Sequence, residues 1–156
     1  MAIRTIVKEG MIGDDILHKV CRPVEVFDEK LHTLLDDMRE TLHAANGYGL
    51  AAPQVGIMRR VCVVDAEDGY LELVNPVFIE KKGKVQGVEG CLSFPGIDAV
   101  VNRPAKVVVE AYDRYGKKFT VTGEGRKAVG LCHEIDHLDG ITVKDVMIRA
   151  LTEDEY

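Results

Sequence analysis

Near the start of the chain, leucine and methionine recur every three or four residues, which is the spacing of one buried helix face. The positions are Leu31, Leu34, Leu35, Met38 and Leu42. Asp28 is a typical N-cap residue, and Asn46 followed by Gly47 disfavours continuation of a helix. The pattern therefore predicts a helix that begins at Asp28, ends near Ala45 and packs its apolar stripe into the core.

Segments rich in β-branched and alternating apolar residues dominate the middle of the chain and predict strands. The predicted strands span residues 60–65, 70–75, 77–82, 105–113 and 118–122. Asp68-Gly69 and Tyr115-Gly116 are typical of the tight turns that join antiparallel neighbours. A second helix is predicted over residues 124–138. One helix, a run of strands and a second helix are the order of an α+β fold with antiparallel sheets.

Length and composition indicate one small globular domain. The chain has 156 residues, of which 46% are hydrophobic, so we expect a single domain over residues 1–156. The net charge of −6 argues against nucleic acid as a partner. Because no apolar run approaches the length of a membrane span, we expect no membrane association. Residues 1–5 lack a signal-type apolar core, and the four cysteines are not closely paired, so we expect a cytoplasmic protein.

The stretch from His133 to His137 carries the strongest chemical signal. On a helix, these two imidazoles lie one turn apart on the same face, with Glu134 beside them. Such a pair suits a divalent metal, and Glu134 is then placed as a general base for water that the metal activates. The alternative is structural, with His133 capping or packing the helix and His137 lying at the surface.

A third metal ligand is better sought upstream than downstream. Val143 stands where one class of zinc peptidase has a third histidine. Glu153 and Glu155 lie at the end of the chain, where fraying is expected. Upstream, Cys91 offers a thiolate, which is a strong ligand for zinc and ferrous iron. A buried apolar thiol is the alternative interpretation of Cys91.

Three separated segments resemble the motifs of the peptide deformylase family. They are residues 47–54 (GYGLAAPQ), residues 89–93 (EGCLS) and residues 133–140 (HEIDHLDG), in the family's order and at similar spacing. The resemblance extends over residues 7–146. It implies the family's fold, in which antiparallel β-sheets pack around a central metal-binding helix and an N-terminal helix is added.

The resemblance also implies a metal site and a reaction. Cys91, His133 and His137 would bind one divalent metal, with Glu134 as the general acid and base. The family metal is usually Fe2+, and Zn2+ or Ni2+ is able to occupy the site. The implied reaction removes the N-formyl group from the formyl-methionine of newly made polypeptides and releases formate. The short acidic tail of residues 153–156 does not support ribosome contact through a basic segment.

Further residues take roles by resemblance. Gln54 and the backbone N–H of Leu92 would stabilise the oxyanion that forms on attack at the formyl carbon. Taken alone, Gln54 is better interpreted as a loop residue bonded to backbone, and only the motif favours the oxyanion role. The implied substrate-binding residues are Tyr48, Gly49, Val129 and Gly130. Gly49 would allow the substrate backbone to approach closely, because it has no side chain.

Several positions raise questions that the sequence leaves open. On the helix face that would line the methionine pocket, Gly130 is expected to enlarge the pocket, and Arg126 is expected to extend to solvent. Asp98 stands where some relatives carry an arginine that helps to hold the substrate. Asp136 and Arg103 either orient groups around the site or form an ordinary ion pair.

Two other functions compete with deformylation. One is a peptidase that cuts internal peptide bonds, against which the lack of a downstream third ligand speaks. The other is a non-catalytic zinc module, which needs four protein ligands. Cys132 is the nearest additional thiol, but adjacent residues on a helix point about 100° apart, so it would point away from the His133 face.

Overall fold

The computed structural model describes residues 2–156, which form two antiparallel sheets with helices packed against them. The strands are β1 (Gly49–Ala51), β2 (Val61–Ala66), β3 (Gly69–Lys82), β4 (Val85–Cys91), β5 (Phe94–Arg103), β6 (Lys106–Tyr112), β7 (Lys118–Glu124) and β8 (Arg149–Ala150). The α-helices are α1 (Glu29–Ala44), α2 (Arg126–Leu138) and α3 (Val143–Val146), with 3-10 helices at Asp14–His18, Ala52–Val55 and Glu153–Glu155. The α+β class with antiparallel sheets is confirmed.

The larger sheet has five strands in the order β1-β2-β3-β6-β7. The predicted strands lie in this sheet, with two corrections. The strands predicted at 70–75 and 77–82 are one strand, β3, because a register shift between Val74 and Val77 accommodates the intervening residues within its pairing with β6. The tight turn lies at Glu67 and Asp68, one residue earlier than predicted, since Ala66 already pairs with Gly69.

The smaller sheet, in the order β4-β5-β8, was not predicted by the hydrophobic pattern. Strand β4 has the sequence VQGVEGC and is exposed at most positions, so it shows no alternation of buried and exposed residues. Its two glycines also lower strand propensity. Pairing with β5 nevertheless runs from Val85–Arg103 to Cys91–Phe94, where the hairpin closes. This hairpin brings Cys91 to the junction between β4 and β5.

Helix α1 agrees closely with its prediction, and its N-cap has the expected geometry. The side chain of Asp28 accepts a hydrogen bond of 3.1 Å from the backbone N–H of Leu31. The apolar stripe is fully buried and forms a core cluster with residues of β1 and β2, including Leu50 and Val63. Within residues 2–156, no helix combines the length and the apolar character needed to cross a membrane.

Helix α2 packs against β1, β2 and β7 of the larger sheet and also touches β5 of the smaller one. It begins at Arg126 rather than at residue 124, because Glu124 still belongs to β7. Its apolar side, including Leu131 and Ile135, packs into the core cluster beneath the larger sheet. The other side of the helix is therefore free to carry polar groups.

At the C-terminal end of α2, two hydrogen-bond donors bind the last backbone carbonyl group of the helix. The carbonyl of Leu138 accepts a hydrogen bond of 2.8 Å from the Cys21 N–H and one of 3.0 Å from Arg60 Nη1. Arg60 also forms an ion pair of 2.9 Å with Asp139. Unpaired carbonyls at helix ends require such partners, and a cation at the C-terminus interacts favourably with the helix dipole.

Replacement of Arg60 should therefore destabilise the helix end. We expect Arg60→Ala to lower the free energy of unfolding by about 1–2 kcal/mol, because a largely buried hydrogen bond from a charged group is lost. Lys118→Ala is the matched control, since its 3.6 Å pair with Glu110 is mostly exposed and should change stability by less than about 0.5 kcal/mol. Urea unfolding of the three proteins measures both values. Equal stability of Arg60→Ala and the unmutated chain would contradict this role.

Candidate active site

Three metal-ligand side chains converge where helix α2 meets the β4–β5 hairpin. The donor atoms of Cys91, His133 and His137 all lie within 4.8 Å of one another. Cys91 Sγ is 3.4 Å from His137 Nε2, and the two imidazole centroids are 5.1 Å apart. In a tetrahedral site with a metal–sulfur distance of about 2.3 Å and a metal–nitrogen distance of about 2.1 Å, such donors are about 3.6 Å apart. The set therefore fits a divalent metal.

The tautomer of His133 is fixed by a buried carboxylate. His133 Nδ1 donates a hydrogen bond of 2.9 Å to Glu89 Oε1, which leaves the Nε2 lone pair free for a metal. Burial alone would raise the pKa of Glu89. Hydrogen bonds from His133 and Arg103 outweigh that effect and lower the pKa of Glu89 to about 2. Glu89 is thus an ionised acceptor at neutral pH.

Arg103 links the Glu89 carboxylate to a second residue of helix α2, Asp136. Its guanidinium binds both oxygens of Glu89, with Nε–Oε2 at 2.8 Å and Nη2–Oε1 at 3.0 Å. The third contact joins Arg103 Nη1 to Asp136 Oδ2 at 2.6 Å. For Asp136 and Arg103, the structure combines the two interpretations, an ion pair and the orientation of groups around the site. They form an ion pair, and through Glu89 that pair orients His133.

Glu134 lies beside the three donors and is buried. A Cβ atom added to Gly49 would lie 2.5 Å from Glu134 Oε2, so the carboxylate packs directly on the β1 backbone. Its Oε1 atom has no hydrogen-bond partner among residues 2–156. Burial raises the pKa of Glu134 to about 7. A carboxyl group with a pKa near the working pH is suited to both accepting and donating a proton.

Gln54 is held so that its amide nitrogen points to the donor cluster. Its Oε1 accepts a hydrogen bond of 2.9 Å from the Ala51 N–H, and its Nε2 donates one of 3.1 Å to Ser93 Oγ. The same Nε2 lies 3.6 Å from Cys91 Sγ. The loop interpretation of Gln54 is therefore incomplete, since only one end of its amide bonds to backbone. Leu92 follows Cys91 in the hairpin and lines the same cleft.

The cleft has a volume of about 460 Å³ and is open on one side. It brings together all four predicted substrate-binding residues, which are Tyr48, Gly49, Val129 and Gly130. His133, Glu134, Gln54 and Cys91 also line it. His137 lies behind these residues and is almost fully buried.

Of the two expectations about the cleft wall, the one for Gly130 is wrong and the one for Arg126 is confirmed. Gly130 does not enlarge the pocket, because the ring of Tyr48 lies directly over it, with Tyr48 Cδ1 at 2.8 Å from where a Cβ atom would be. Arg126 does extend to solvent, because its side chain is 70% exposed. Its guanidinium carbon lies 4.2 Å from the centroid of the Tyr48 ring. Asp98 lines the cleft and accepts a hydrogen bond of 2.5 Å from the Tyr156 hydroxyl.

The roles of Glu89 and Ser93 were not predicted from the sequence. Both lie inside the EGCLS segment and both are buried, Glu89 against His133 and Ser93 against Gln54. A signal for Glu89 was present, because a carboxylate two residues before a candidate metal ligand on a strand points to the same side of that strand.

Two imidazoles and a thiol that converge on an open cleft, with a buried carboxylate next to them, define a metal-dependent hydrolase. Comparison with known proteins gives the particular family. Residues 4–152 match the family model described as polypeptide deformylase. The chain therefore belongs to the polypeptide deformylase family.

Individual relatives agree over the whole chain. A peptide deformylase of Acetivibrio thermocellus is 56% identical over 99% of this chain and 89% of that protein. The crystal structure of a peptide deformylase from Thermotoga maritima has a TM-score of 0.90 at 35% identity, covering 96% of this chain and all of that chain. One from Legionella pneumophila has a TM-score of 0.88 at 43% identity, covering 99% of this chain and 89% of that chain.

Metal content of cysteine variants tests the donor set. We expect Cys91→Ala to retain much less metal than the unmutated protein, since only two protein donors remain. Cys132→Ala is the matched control, because Cys132 is adjacent to His133 on the same helix but packs in the core cluster. It should keep one metal per chain. Metal analysis of the purified proteins, with circular dichroism to verify folding, makes the comparison. Full occupancy in Cys91→Ala, or loss in a folded Cys132→Ala, would overturn the proposed ligands.

Proposed function

We propose that this chain is a metal-dependent hydrolase that removes the N-formyl group from the N-terminal formyl-methionine of newly made polypeptides and releases formate. The observation that carries this proposal is the placement of buried Glu134 beside the Cys91, His133 and His137 donors in a chain of the polypeptide deformylase family. The donors and Glu134 supply the parts that amide hydrolysis requires. Membership of the polypeptide deformylase family identifies the substrate.

We assign Cys91, His133 and His137 as the metal ligands and Fe2+ as the metal, with Zn2+ or Ni2+ able to replace it. Three protein ligands leave a coordination position open, as catalytic sites do. When bound, such a metal supplies a Lewis acid that polarises a carbonyl and makes water nucleophilic near neutral pH. Helix α2 would then be a metal-binding helix at the centre of the fold, in contact with both sheets.

Glu134 is proposed as the group that moves the proton. It accepts a proton from the attacking water and later gives it to the departing α-amine, so that water and formamide become formate and free amine. Its burial against Gly49 supports this role, because a carboxyl group shielded from bulk solvent holds a proton near neutral pH. The absence of a partner for Oε1 among residues 2–156 leaves this oxygen free to receive the proton.

Gln54 and the backbone N–H of Leu92 are proposed to stabilise the oxyanion. Attack on the formyl carbon places negative charge on its oxygen, and pre-oriented donors next to that position lower the barrier. The support for Gln54 is that the Ala51 N–H fixes its carbonyl end and so directs its N–H groups toward Cys91. Leu92 supplies a main-chain donor adjacent to the same ligand.

The remaining cleft residues are assigned to substrate binding. Gly49 would present its main chain to the peptide, and Tyr48, Val129 and Gly130 would line the pocket for the methionine side chain. We further propose that residues 1–156 act as one catalytic domain in the cytoplasm, where nascent polypeptides are made.

Glu134→Gln tests the proton-transfer role. We expect the variant to keep one metal per chain and to lose formate release by about three or more orders of magnitude, because the amide cannot shuttle a proton. Glu25→Gln, which removes an exposed carboxylate, should retain full activity. Formate release from a formyl-Met peptide and metal analysis are measured on the same preparations. Loss of metal together with activity would make Glu134 a ligand, and retained activity would refute the role altogether.

Metal identity is tested by air sensitivity. If Fe2+ is the metal, protein purified without oxygen should contain iron. Because a thiolate ligand and ferrous iron are both readily oxidised, this protein should lose formate release on exposure to air. Protein reconstituted with Ni2+ should stay active longer under the same exposure. Zinc in the anaerobic preparation, with activity stable in air, would replace iron in the assignment and leave the ligands unchanged.

A further inference from the structure

The ring of Tyr48 occupies the space that a side chain at position 130 would need. A Cβ atom added to Gly130 would come into severe overlap with Tyr48 Cε1 and would lie 2.8 Å from Cδ1, whereas its next neighbour, Val64, is at 3.5 Å. The edge of the tyrosine ring thus rests in a notch on helix α2 that exists because residue 130 is glycine. A side chain at position 130 and the Tyr48 ring in its present position exclude each other.

Two further groups hold the ring in this notch. The guanidinium of Arg126 covers the ring at 4.2 Å from its centroid, which is a cation–π contact. The Tyr48 hydroxyl donates a hydrogen bond of 3.1 Å to Glu67 Oε2, and Arg126 Nη1 lies 3.9 Å from the other oxygen of the same carboxylate. The ring also packs against the core cluster under the larger sheet. Tyr48 is therefore contacted along its edge, over its face and at its hydroxyl.

The notch lies immediately next to the chemistry. Gly130 precedes His133 by three residues, which places both on the same side of α2. The residue after Tyr48 is Gly49, on whose backbone Glu134 packs. Displacement of the ring would therefore move the cleft wall and the backbone that supports Glu134. Tyr48, Arg126 and Gly130 all line the cleft itself.

We propose that Tyr48 and Gly130 form one specificity-determining unit, in which the tyrosine ring replaces the missing side chain of residue 130 and sets the depth and chemistry of the side-chain pocket beside Glu134. This inference rests on the proposed deformylase function and adds to it the residues that select the N-terminal side chain. An aromatic wall favours a thioether over a methylene chain of equal length, because sulfur makes favourable contacts with aromatic rings. Formyl-methionine should therefore be preferred to formyl-norleucine by roughly two- to tenfold in kcat/KM.

The test uses a cycle of Tyr48→Leu, Gly130→Ala and the double variant in the full-length, metal-loaded protein. Values of kcat/KM are measured for formyl-Met, formyl-norleucine and formyl-Ala tripeptides, together with the melting temperature. We expect Gly130→Ala to lower kcat/KM for formyl-Met by about tenfold or more, because the methyl group displaces the ring. We expect Tyr48→Leu to abolish the preference for methionine over norleucine.

The double variant gives the decisive result. With leucine at position 48, the ring atom that overlaps a methyl group at position 130 is absent and the smaller side chain can move aside, so the double variant should be more active and more stable than Gly130→Ala alone. Gly87→Ala is the control, since a Cβ atom there meets nothing within 4 Å and the residue lies on β4 outside the cleft lining. It should leave the ranking of the three substrates unchanged.

Each outcome decides a separate question. Additive effects of the two substitutions on kcat/KM, or an unchanged methionine-to-norleucine ratio in Tyr48→Leu, would overturn the inference. If Gly130→Ala does not fold, that ratio in Tyr48→Leu still decides it. Failure of the unmutated protein to release formate would instead refute the proposed function, and the melting temperatures of the cycle would then still report the contact between ring and notch.

Discussion

The buried pair of Arg103 and Glu89 is the interaction on which the rest of the site depends. Both residues are only 7% exposed, and a buried charge is tolerated only when it is paired and hydrogen-bonded. Arg103 comes from β5, Glu89 from β4, and their contacts His133 and Asp136 from α2. One guanidinium therefore joins the smaller sheet to the helix, and the geometry of the donor cluster follows from that junction.

This junction explains why the donor set is divided between two elements. A helix supplies two imidazoles one turn apart at little cost, but a third donor must approach from elsewhere. The β4–β5 hairpin brings Cys91 to the helix because Glu89, two residues earlier on the same strand, is already fixed against His133. Orientation by a hydrogen-bonded carboxylate also selects the imidazole tautomer. The contact that holds the helix against the hairpin is thus the same contact that prepares the ligand.

The parts of the fold that were predictable are those in which burial follows a simple period. The stripe of α1 and the alternation in β6 indicate their elements directly, because each has one face in the core. Strand β2 is indicated instead by a continuous valine-rich run that is buried on both faces. The smaller sheet has no such signal, since β4 is largely exposed and contains glycine at two of its seven positions. Its existence depends on pairing with β5 and on the Glu89–Arg103 contact, which are long-range interactions. For the same reason, the motif residues and the candidates Arg103 and Asp136 were identifiable, whereas the contact of Glu89 with His133 that connects them was not predicted.

The wall formed by Tyr48 and Gly130 illustrates a more general limit. Read singly, a glycine on a pocket-facing helix predicts extra space, and a nearby arginine predicts exposure to solvent. The structure reverses the first expectation, because a third residue, distant in the sequence, occupies the space at the glycine. The arginine is 70% exposed as expected, but its guanidinium also lies over the ring of that third residue. Packing density depends on all the residues that contact one another in a region, so the volume that one residue lacks is filled by the side chain of another. The shape of a pocket therefore depends on residues that are distant in the sequence but in contact in the folded protein, and the sequence alone does not identify those contacts.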